Sequence, residues 1–190
     1  DFEGFPDDLN EFVNEGTGDN LGIELTLEKF LSKGYYFLFT SSLYDSKYKG
    51  SDNIERNTAF NSNYVFNLLA GKELPVGKSK QNTLGFDIRA NYMGGRRYIP
   101  IDQKATEEQN SIVYNYDLAY ENKHKDYFRI DVKLSFNLNK PQVTHKFILD
   151  FTNVTNSENI FKENYNVSTG AFSYVYQPGF MPNFQYKILF

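Results

Sequence analysis

The charged side chains of this 190-residue chain lie at alternate positions in several segments rather than in one catalytic cluster. Alternate residues of a β-strand point to the same side of a sheet, so each segment would place its charges on one face. We expect oppositely charged neighbours on that face to form ion pairs. The charged residues predicted to meet in this way are Asp87, Arg89, Arg129, Asp131, Lys133 and Asp150.

An enzymatic role for these groups has little support in the sequence. Dispersed carboxylates could act as a general acid–base pair only if the fold brought two of them to one substrate. The chain has no recognisable Ser–His–Asp grouping, no phosphate-binding glycine loop and no metal-ligand cluster. Cysteine is absent, and His124 and His145 stand in separate segments without ligand spacing. We therefore predict no enzyme, no cofactor and no metal site.

A candidate binding site begins at residues 92–102, where the sequence is YMGGRRYIPID. Neighbouring arginines can bind an anionic ligand or a lipopolysaccharide phosphate in a bidentate manner. They could instead pair with carboxylates of the same connection, such as Asp102. Tyrosine rings nearby suit flat polar ligands, and functional residues concentrate on loops held by a rigid scaffold. The predicted ligand contacts are Arg96, Arg97, Tyr98, Tyr114 and Tyr116.

Composition narrows the class of protein further. The net charge of −4 is dispersed, and the absence of a basic tract argues against a nucleic-acid partner. The mean hydropathy is −0.57, and the chain lacks the run of roughly 18 apolar residues that a transmembrane helix needs. A membrane β-barrel remains possible, because its strands alternate lipid-facing with polar residues. Phe and Tyr supply 17% of the chain, which suits strands and interfacial aromatic girdles.

The segments that carry these residues are predicted to be long β-strands. Residues 128–139 alternate apolar and polar side chains without exception. Strands in soluble proteins run to about 5–6 residues, whereas a tilted membrane-crossing strand needs roughly 9–11. Six further segments alternate, at 21–27, 35–43, 64–70, 84–92, 147–151 and 180–190. The sequence therefore predicts about seven long antiparallel strands.

The connections between these strands alternate in length. The short ones are 29–34, 74–81 and 140–143, and the long ones are 45–59, 94–127 and 153–177. Short periplasmic turns and long extracellular loops are typical of outer-membrane barrels. We therefore predict an all-β antiparallel transmembrane β-barrel segment, with the six charged residues facing the lumen and residues 1–20 in an extracellular loop. Closed bacterial barrels have an even number of strands, so seven would form an incomplete barrel.

The last predicted strand alternates regularly and ends on an aromatic residue. Such a strand resembles the C-terminal signal that the barrel-assembly machinery reads, so this machinery is a predicted partner. The alternative is an arbitrary stop after an edge strand. The residues assigned to the assembly signal are Phe184, Tyr186, Ile188 and Phe190.

Several of these segments together resemble a known family. They are SLYDSKYKG at 42–50, RNTAF at 56–60, the GGRR segment and the closing strand. With them, nearly the whole chain resembles the C-terminal barrel of TonB-dependent receptors, especially those of Bacteroidetes. The resemblance implies a barrel of about 22 strands around an N-terminal plug, and a periplasmic segment that contacts TonB. It also implies energised import of a siderophore, cobalamin, glycan or peptide.

On this interpretation residues 1–190 are the C-terminal portion of an outer-membrane β-barrel domain, and the plug and the N-terminal strands lie outside them. The expected partners are outer-membrane lipid, the TonB complex through that missing N-terminal region, and a small-molecule, glycan or peptide ligand. Two alternatives remain from other functional classes. One is a passive porin or a surface adhesin barrel, and the other is a soluble β-sandwich that binds glycans.

Overall fold

The chain is all-β and its sheets are antiparallel, as the alternating pattern predicts. The computed structural model describes residues 15–190. Its strands, in chain order, are β1 (Thr17–Ser32), β2 (Tyr35–Lys49), β3 (Glu55–Asn57), β4 (Tyr64–Val76), β5 (Asn82–Met93), β6 (Arg97–Tyr98), β7 (Asn122–Lys123), β8 (Tyr127–Asn139), β9 (Thr144–Thr152), β10 (Ile160–Asn166), β11 (Ala171–Tyr176) and β12 (Met181–Leu189).

Seven of these strands form one large sheet in the order in which they occur along the chain. β1, β2, β4, β5, β8, β9 and β12 are successive hydrogen-bonded neighbours, and the short strand β3 pairs with β2. The seven contain between 9 and 16 residues, so each reaches the length that a tilted strand needs to cross a hydrocarbon layer. The prediction of seven long antiparallel strands is confirmed. Within residues 15–190 the sheet is open, because β1 and β12 each have a strand neighbour on one side only.

The strand register sorts apolar and polar side chains onto opposite faces of the sheet. Ile88 in β5 lies opposite Val132 in β8, whereas the adjacent Asp87 lies opposite Lys133. Residues that face each other across an antiparallel pair point to the same side. The same parity continues through each pairing from β1 to β12, so one face is apolar across the sheet and the other is mostly polar.

The apolar face has no second layer packed on it within the described residues. Ile23 in β1 is 77% exposed, Phe86 in β5 is 47% exposed and Phe184 in β12 is 62% exposed. The few apolar side chains that are buried, Ala119, Ile148 and Tyr165, do not belong to this face. The largest apolar surface of the described chain is therefore uncovered.

Turns and loops segregate to opposite ends of the sheet. At one end β1 and β2 are joined by Lys33 and Gly34 alone, both with positive φ, which matches the twist of a tight hairpin. Residues 77–81 and 140–143 make the other two turns at that end. The opposite end carries the connections 50–63, 94–126 and 153–180. This asymmetry agrees with the predicted alternation of short and long connections.

The long connections contain more regular structure than the sequence predicts. Connection 94–126 includes a two-stranded β6–β7 pair, helix α1 (Gln103–Gln109) and a single 3₁₀ turn at Tyr116–Leu118. Connection 153–180 includes the β10–β11 hairpin. Among the described residues, no helix has both the length and the apolar character needed to cross a membrane.

Several predicted boundaries are wrong. The turns predicted at 29–34 and 74–81 are shorter, because β1 continues to Ser32 and β4 to Val76. The sequence predicts that residues 1–20 and 45–59 are loops, but β1 begins at Thr17 and β2 continues to Lys49, opposite it. Strand β3 then pairs with the end of β2, Asn57 opposite Lys47. Backbone pairing extends these strands through polar sequence that has no clear alternation: β1 pairs there with β2 alone, and the end of β2 pairs with β1 on one side and β3 on the other. The part of the 1–20 prediction at residues 1–14 lies outside the described residues.

Candidate ligand-binding site

A carboxylate holds the base of connection 94–126 against the sheet. One oxygen of Asp126 accepts hydrogen bonds from the hydroxyl groups of Tyr64 at 2.7 Å and Tyr92 at 2.8 Å. Its other oxygen accepts the backbone N–H of Gly95 at 3.0 Å. The hydrogen bond from Tyr64 is the largest of several causes that lower the pKa of Asp126 below its usual value. Asp126 thus fixes the end of the connection to strands β4 and β5.

The paired glycines are required by close backbone packing. A Cβ at Gly94 would collide with the backbone carbonyl of Ser62, and a Cβ at Gly95 would collide with that of His124. Neither glycine adopts a positive φ, so conformational freedom is not the reason for their presence. The sequence predicts a sharp bend at this pair, but the physical requirement is the absence of a side chain.

Arg97 joins connection 94–126 to connection 50–63. Its Nε donates to the backbone carbonyl of Asn61 at 2.8 Å, and its Nη1 donates to the carbonyls of Tyr120 and Glu121 at 2.9 and 3.1 Å. Asn61 is itself completely buried and donates its amide to Asp45. Burial lowers the pKa of the Arg97 guanidinium. Its Nη2 donates to Oδ1 of Asn63 at 3.4 Å, so all three nitrogens of the Arg97 guanidinium already have protein acceptors.

Arg96 has a different environment although it is the adjacent residue. Among the described residues, the arginines that form ion pairs are Arg56, Arg89 and Arg129, so neither Arg96 nor Arg97 forms the predicted alternative pair with a carboxylate such as Asp102. Asp102 instead caps helix α1 by accepting the backbone N–H of Ala105 at 3.0 Å. The exposed guanidinium of Arg96 keeps its donors available.

The β10–β11 hairpin meets connection 94–126 through a histidine. The ring of His124 stacks on Tyr98 with a centroid distance of 4.4 Å, and its Nδ1 lies 3.6 Å from Oε1 of Glu163 in β10. Burial lowers the pKa of His124, and the nearby Arg96 lowers it further, whereas Glu163 opposes both effects. Since burial prevails, the lowered pKa favours the neutral imidazole, whose contact with Glu163 is a polar contact rather than an ion pair.

Two open cavities lie where the hairpin meets the connection. The first has a volume of about 330 Å³ and the second about 400 Å³. Arg96, His124 and Phe161 line both of them. All five predicted ligand contacts line the first cavity, which is bounded by Ala59, Arg96, Arg97, Tyr98, Ile99, Tyr114, Tyr116, Tyr120, His124, Phe161, Lys162 and Glu163.

The six charged residues predicted to face a lumen share the polar face of the sheet. Nζ of Lys133 lies 2.9 Å from Asp87, which also accepts a hydrogen bond from the Tyr36 hydroxyl. Nε of Arg129 donates to Asp131 at 2.7 Å, and Arg89 approaches the same carboxylate at 3.9 Å. Asp150 is brought next to Lys133 by the β8–β9 register.

These six residues also line a cavity of about 90 Å³. That volume accommodates roughly three water molecules, so it is too small for a ligand. The backbone N–H of Asn153 donates to Asp131 at 2.9 Å and covers one end of the network. The network therefore neutralises buried and half-buried charges on one sheet face, and the loop cavities offer the larger space for binding.

The residues assigned to an assembly signal lie at the edge of the sheet. Phe184, Tyr186 and Ile188 in β12 point to the apolar face and are exposed. The hydroxyl of Tyr186 forms a 2.7 Å hydrogen bond with Nδ1 of His145 in β9. Phe190 lies just beyond the end of β12 and makes no strand pairing.

The sequence did not predict that the β10–β11 hairpin lines one side of the first cavity. Phe161, Lys162 and Glu163 all come from β10, inside a segment predicted to be a loop. A usable signal was present, because Phe172, Tyr174 and Tyr176 alternate directly after Gly170, whose φ is +64°. No sequence pattern indicates that Asp126 holds the base of connection 94–126, since a single carboxylate before a strand does not reveal its hydrogen-bond partners.

No protein-family model, no curated protein and no solved structure matches this chain. Among the described residues, no three His, Cys, Asp or Glu side chains are grouped so that they could hold a metal ion.

Proposed function

We propose that this chain forms part of the wall of an outer-membrane β-barrel whose extracellular loops capture a ligand for import. The observation that carries the proposal is the apolar face of the sheet, which is seven strands wide and lies uncovered within residues 15–190. Monomeric soluble proteins rarely expose an apolar surface of that extent. Lipid is the partner that suits it, because the alternating strands expose apolar side chains while their backbone groups are paired within the sheet.

Two rows of aromatic rings support a membrane position for this face. The row near the long loops contains Tyr64, Phe66, Tyr92 and Phe128, with neighbouring ring centroids 5.7–6.4 Å apart. The row near the short turns contains Phe136, Phe147 and Tyr186, with centroids 5.1–6.5 Å apart.

The spacing of the two rows suits a bilayer. Phe128 and Phe136 belong to the same strand, and their separation is about 26 Å at about 3.3 Å per residue. Strand tilt reduces the height to about 20 Å, close to the apolar band of roughly 25 Å that aromatic girdles flank in outer-membrane barrels.

The opposite face has the chemistry expected of a barrel interior. Its ion pairs connect strands β5 and β8, and Asn91, Asn67 and Thr40 form a hydrogen-bonded ladder across β5, β4 and β2. Outer-membrane barrels carry polar side chains on the lumen side of each strand. In such a barrel the side chains facing the lumen would include Asp87, Arg89, Arg129, Asp131, Lys133 and Asp150. The long loops and their cleft would lie outside the cell, because the short turns of these barrels are periplasmic.

The import function itself rests on the resemblance to TonB-dependent receptors together with the loop cleft. The partners proposed from that resemblance are a plug and a TonB-contact segment in other parts of the protein. The exposed outer edge of β12 is the proposed contact for the barrel-assembly machinery, since unpaired strand groups next to lipid cost several kcal/mol each, in order-of-magnitude terms. A passive porin or adhesin would share the wall and the loops but would have no plug.

Single-cysteine labelling tests the membrane position directly, because residues 1–190 contain no cysteine and any cysteine elsewhere in the full-length protein can be replaced by serine. Leu134 points to the apolar face of β8 and the adjacent Ser135 points to the polar face. In outer membranes containing the full-length protein, Leu134→Cys should react with a lipid-soluble maleimide and resist a sulfonated one. Ser135→Cys, which is nearly isosteric, is the matched control on the polar face and should react with the sulfonated reagent. Efficient reaction of Leu134→Cys with the sulfonated reagent would refute the proposal.

A further inference from the structure

The two loop cavities form one cleft with two chemically different halves. Arg96, His124 and Phe161 stand between them and line both. A ligand that occupies both halves would therefore lie next to these three residues, of which Arg96 is the exposed cation. The combined volume, about 330 and 400 Å³, is in the range of small-molecule sites, which run from roughly 300 to 1,000 Å³.

The first half is lined by tyrosine rings. Tyr98, Tyr114, Tyr116 and Tyr120 contribute to its wall, and Tyr114 and Tyr116 meet edge to face with centroids 6.4 Å apart. Tyr116 is 65% exposed and Tyr114 is 46% exposed, so their faces are accessible to a ligand. Tyrosine offers an apolar ring together with a polar hydroxyl, which suits sugar rings and aromatic rings that carry polar groups.

The second half is more apolar near the shared wall. Met93, Ile160 and Phe161 line it together with Tyr127. Its uncharged polar residues are Ser62, Asn159 and Gln177. The side chain of Asn159 is already occupied, because it accepts the N–H of Phe128 and donates to the carbonyl of the same residue. This half suits a hydrophobic substituent of the ligand.

The charge of the cleft is positive where a ligand can reach it. Arg96, Lys125 and Lys162 are cations on its lining. The carboxylate on the lining is Glu163, which faces His124 at 3.6 Å. Arg97 lies in the wall, but its Nε and Nη1 donate to backbone carbonyls and its Nη2 donates to the side chain of Asn63. Arg96 is therefore the cation best placed to bind an anionic group at the junction of the two halves.

We propose that the cleft binds a ring compound that carries a carboxylate, sulfate or phosphate group, with the anionic group on Arg96 and its rings in the two halves. This inference rests on the proposed role of these loops in ligand capture. Arginine recognises such groups through paired charge-assisted hydrogen bonds, which are about twice as strong as neutral ones. An uncharged compound of the same shape would lack that contact and would bind more weakly.

A matched pair of probes tests the inference with the purified full-length protein. 4-Nitrophenyl β-D-glucuronide and 4-nitrophenyl β-D-glucoside share both rings and differ in the carboxylate. Titration calorimetry should give about tenfold tighter binding for the glucuronide, in keeping with one charge-assisted contact. Arg96→Gln should reduce glucuronide affinity to that of the glucoside and leave glucoside affinity unchanged. Lys104→Gln, an exposed cation of α1 outside both cavities, is the control and should alter neither.

Two results would overturn the inference. One is wild-type protein that binds neither probe at millimolar concentration or binds both equally. The other is a glucuronide preference that persists in Arg96→Gln. Neither result bears on the membrane proposal, which is tested by labelling at positions 134 and 135 in a different part of the molecule. Conversely, labelling that refutes the membrane position would remove the import function, while a preference for the glucuronide would still show an anion-selective cleft.

Discussion

Arg97 donates a hydrogen bond from its Nε to the backbone carbonyl of Asn61 at 2.8 Å, and this contact joins two loops that are 36 residues apart in the chain. Arg97→Lys should loosen connection 94–126, because an ammonium cannot reproduce the fixed fork of guanidinium donors. Hydrogen bonds to charged groups contribute about 1.5–3 kcal/mol, so amide exchange of the connection should accelerate by about tenfold or more. Arg96→Lys, the adjacent control, should leave exchange unchanged. Equal acceleration of amide exchange in both variants would contradict the conclusion that Arg97, but not Arg96, holds the connection in place.

Gly94 and Gly95 allow two backbone segments to approach the strand end closely. Gly94→Ala or Gly95→Ala should displace connection 94–126, because the added methyl group meets a backbone carbonyl that cannot move aside. We expect each variant to fold with the sheet intact and to lose protection from proteolysis in the connection. Gly50→Ala is the control, since its Cβ would make an ordinary 3.6 Å contact with Asp52. Unchanged proteolysis of both glycine variants would show that the loop base tolerates a side chain.

A charged side chain on the apolar face should destabilise the protein in a membrane. Val132 lies opposite Ile88 and Phe151 in the middle of that face. Val132→Arg should lower the free energy of unfolding in lipid by about 2–4 kcal/mol if the site lies near the bilayer midplane. Asn183→Arg introduces the same side chain on the polar face, opposite Asp150, and should cost little. Urea-dependent folding into lipid vesicles measures both, and equal losses would argue against a lipid-facing surface.

The packing of the β10–β11 hairpin around His124 should weaken in acid. Because burial lowers the pKa of His124 in the folded state, the unfolded chain binds the proton more readily. The buried neutral imidazole therefore makes its full contribution to the free energy of unfolding above pH 6.5, the ordinary pKa of histidine. That contribution is lost as the pH falls below this value. The charged groups facing this ring are Glu163, which limits the effect, and Arg96, which strengthens it.

Amide exchange of the β10–β11 hairpin, corrected for the intrinsic effect of pH, measures this change. Protection should decrease between pH 7 and pH 5 in the wild type. His124→Phe keeps an aromatic ring against Tyr98 and should make protection independent of pH. A wild-type hairpin whose protection rises on acidification would mean that the Glu163 attraction outweighs burial.

Strand β8 illustrates what local pattern can establish. Its span, Tyr127–Asn139, agrees with the alternating segment 128–139, because side chains of a strand alternate sides whatever the neighbours are. The same regularity placed Asp87, Lys133 and Asp150 on one face. By contrast, Thr17–Asn20 and Ser46–Lys49 became strand through pairing with each other, which no periodicity in either segment indicates.

The sequence by itself determined the all-β class, the seven long strands and the two faces of the sheet, and it singled out the residues that line the first loop cavity. Only the tertiary structure decided how adjacent arginines differ, because the carbonyl groups that occupy Arg97 come from Asn61, Tyr120 and Glu121. It likewise brought Glu163 to His124. Strand periodicity is a property of consecutive residues, so it can be recognised in the sequence. The partners of a loop side chain come from segments far apart in the chain. Those contacts exist only after the sheet has brought the segments together.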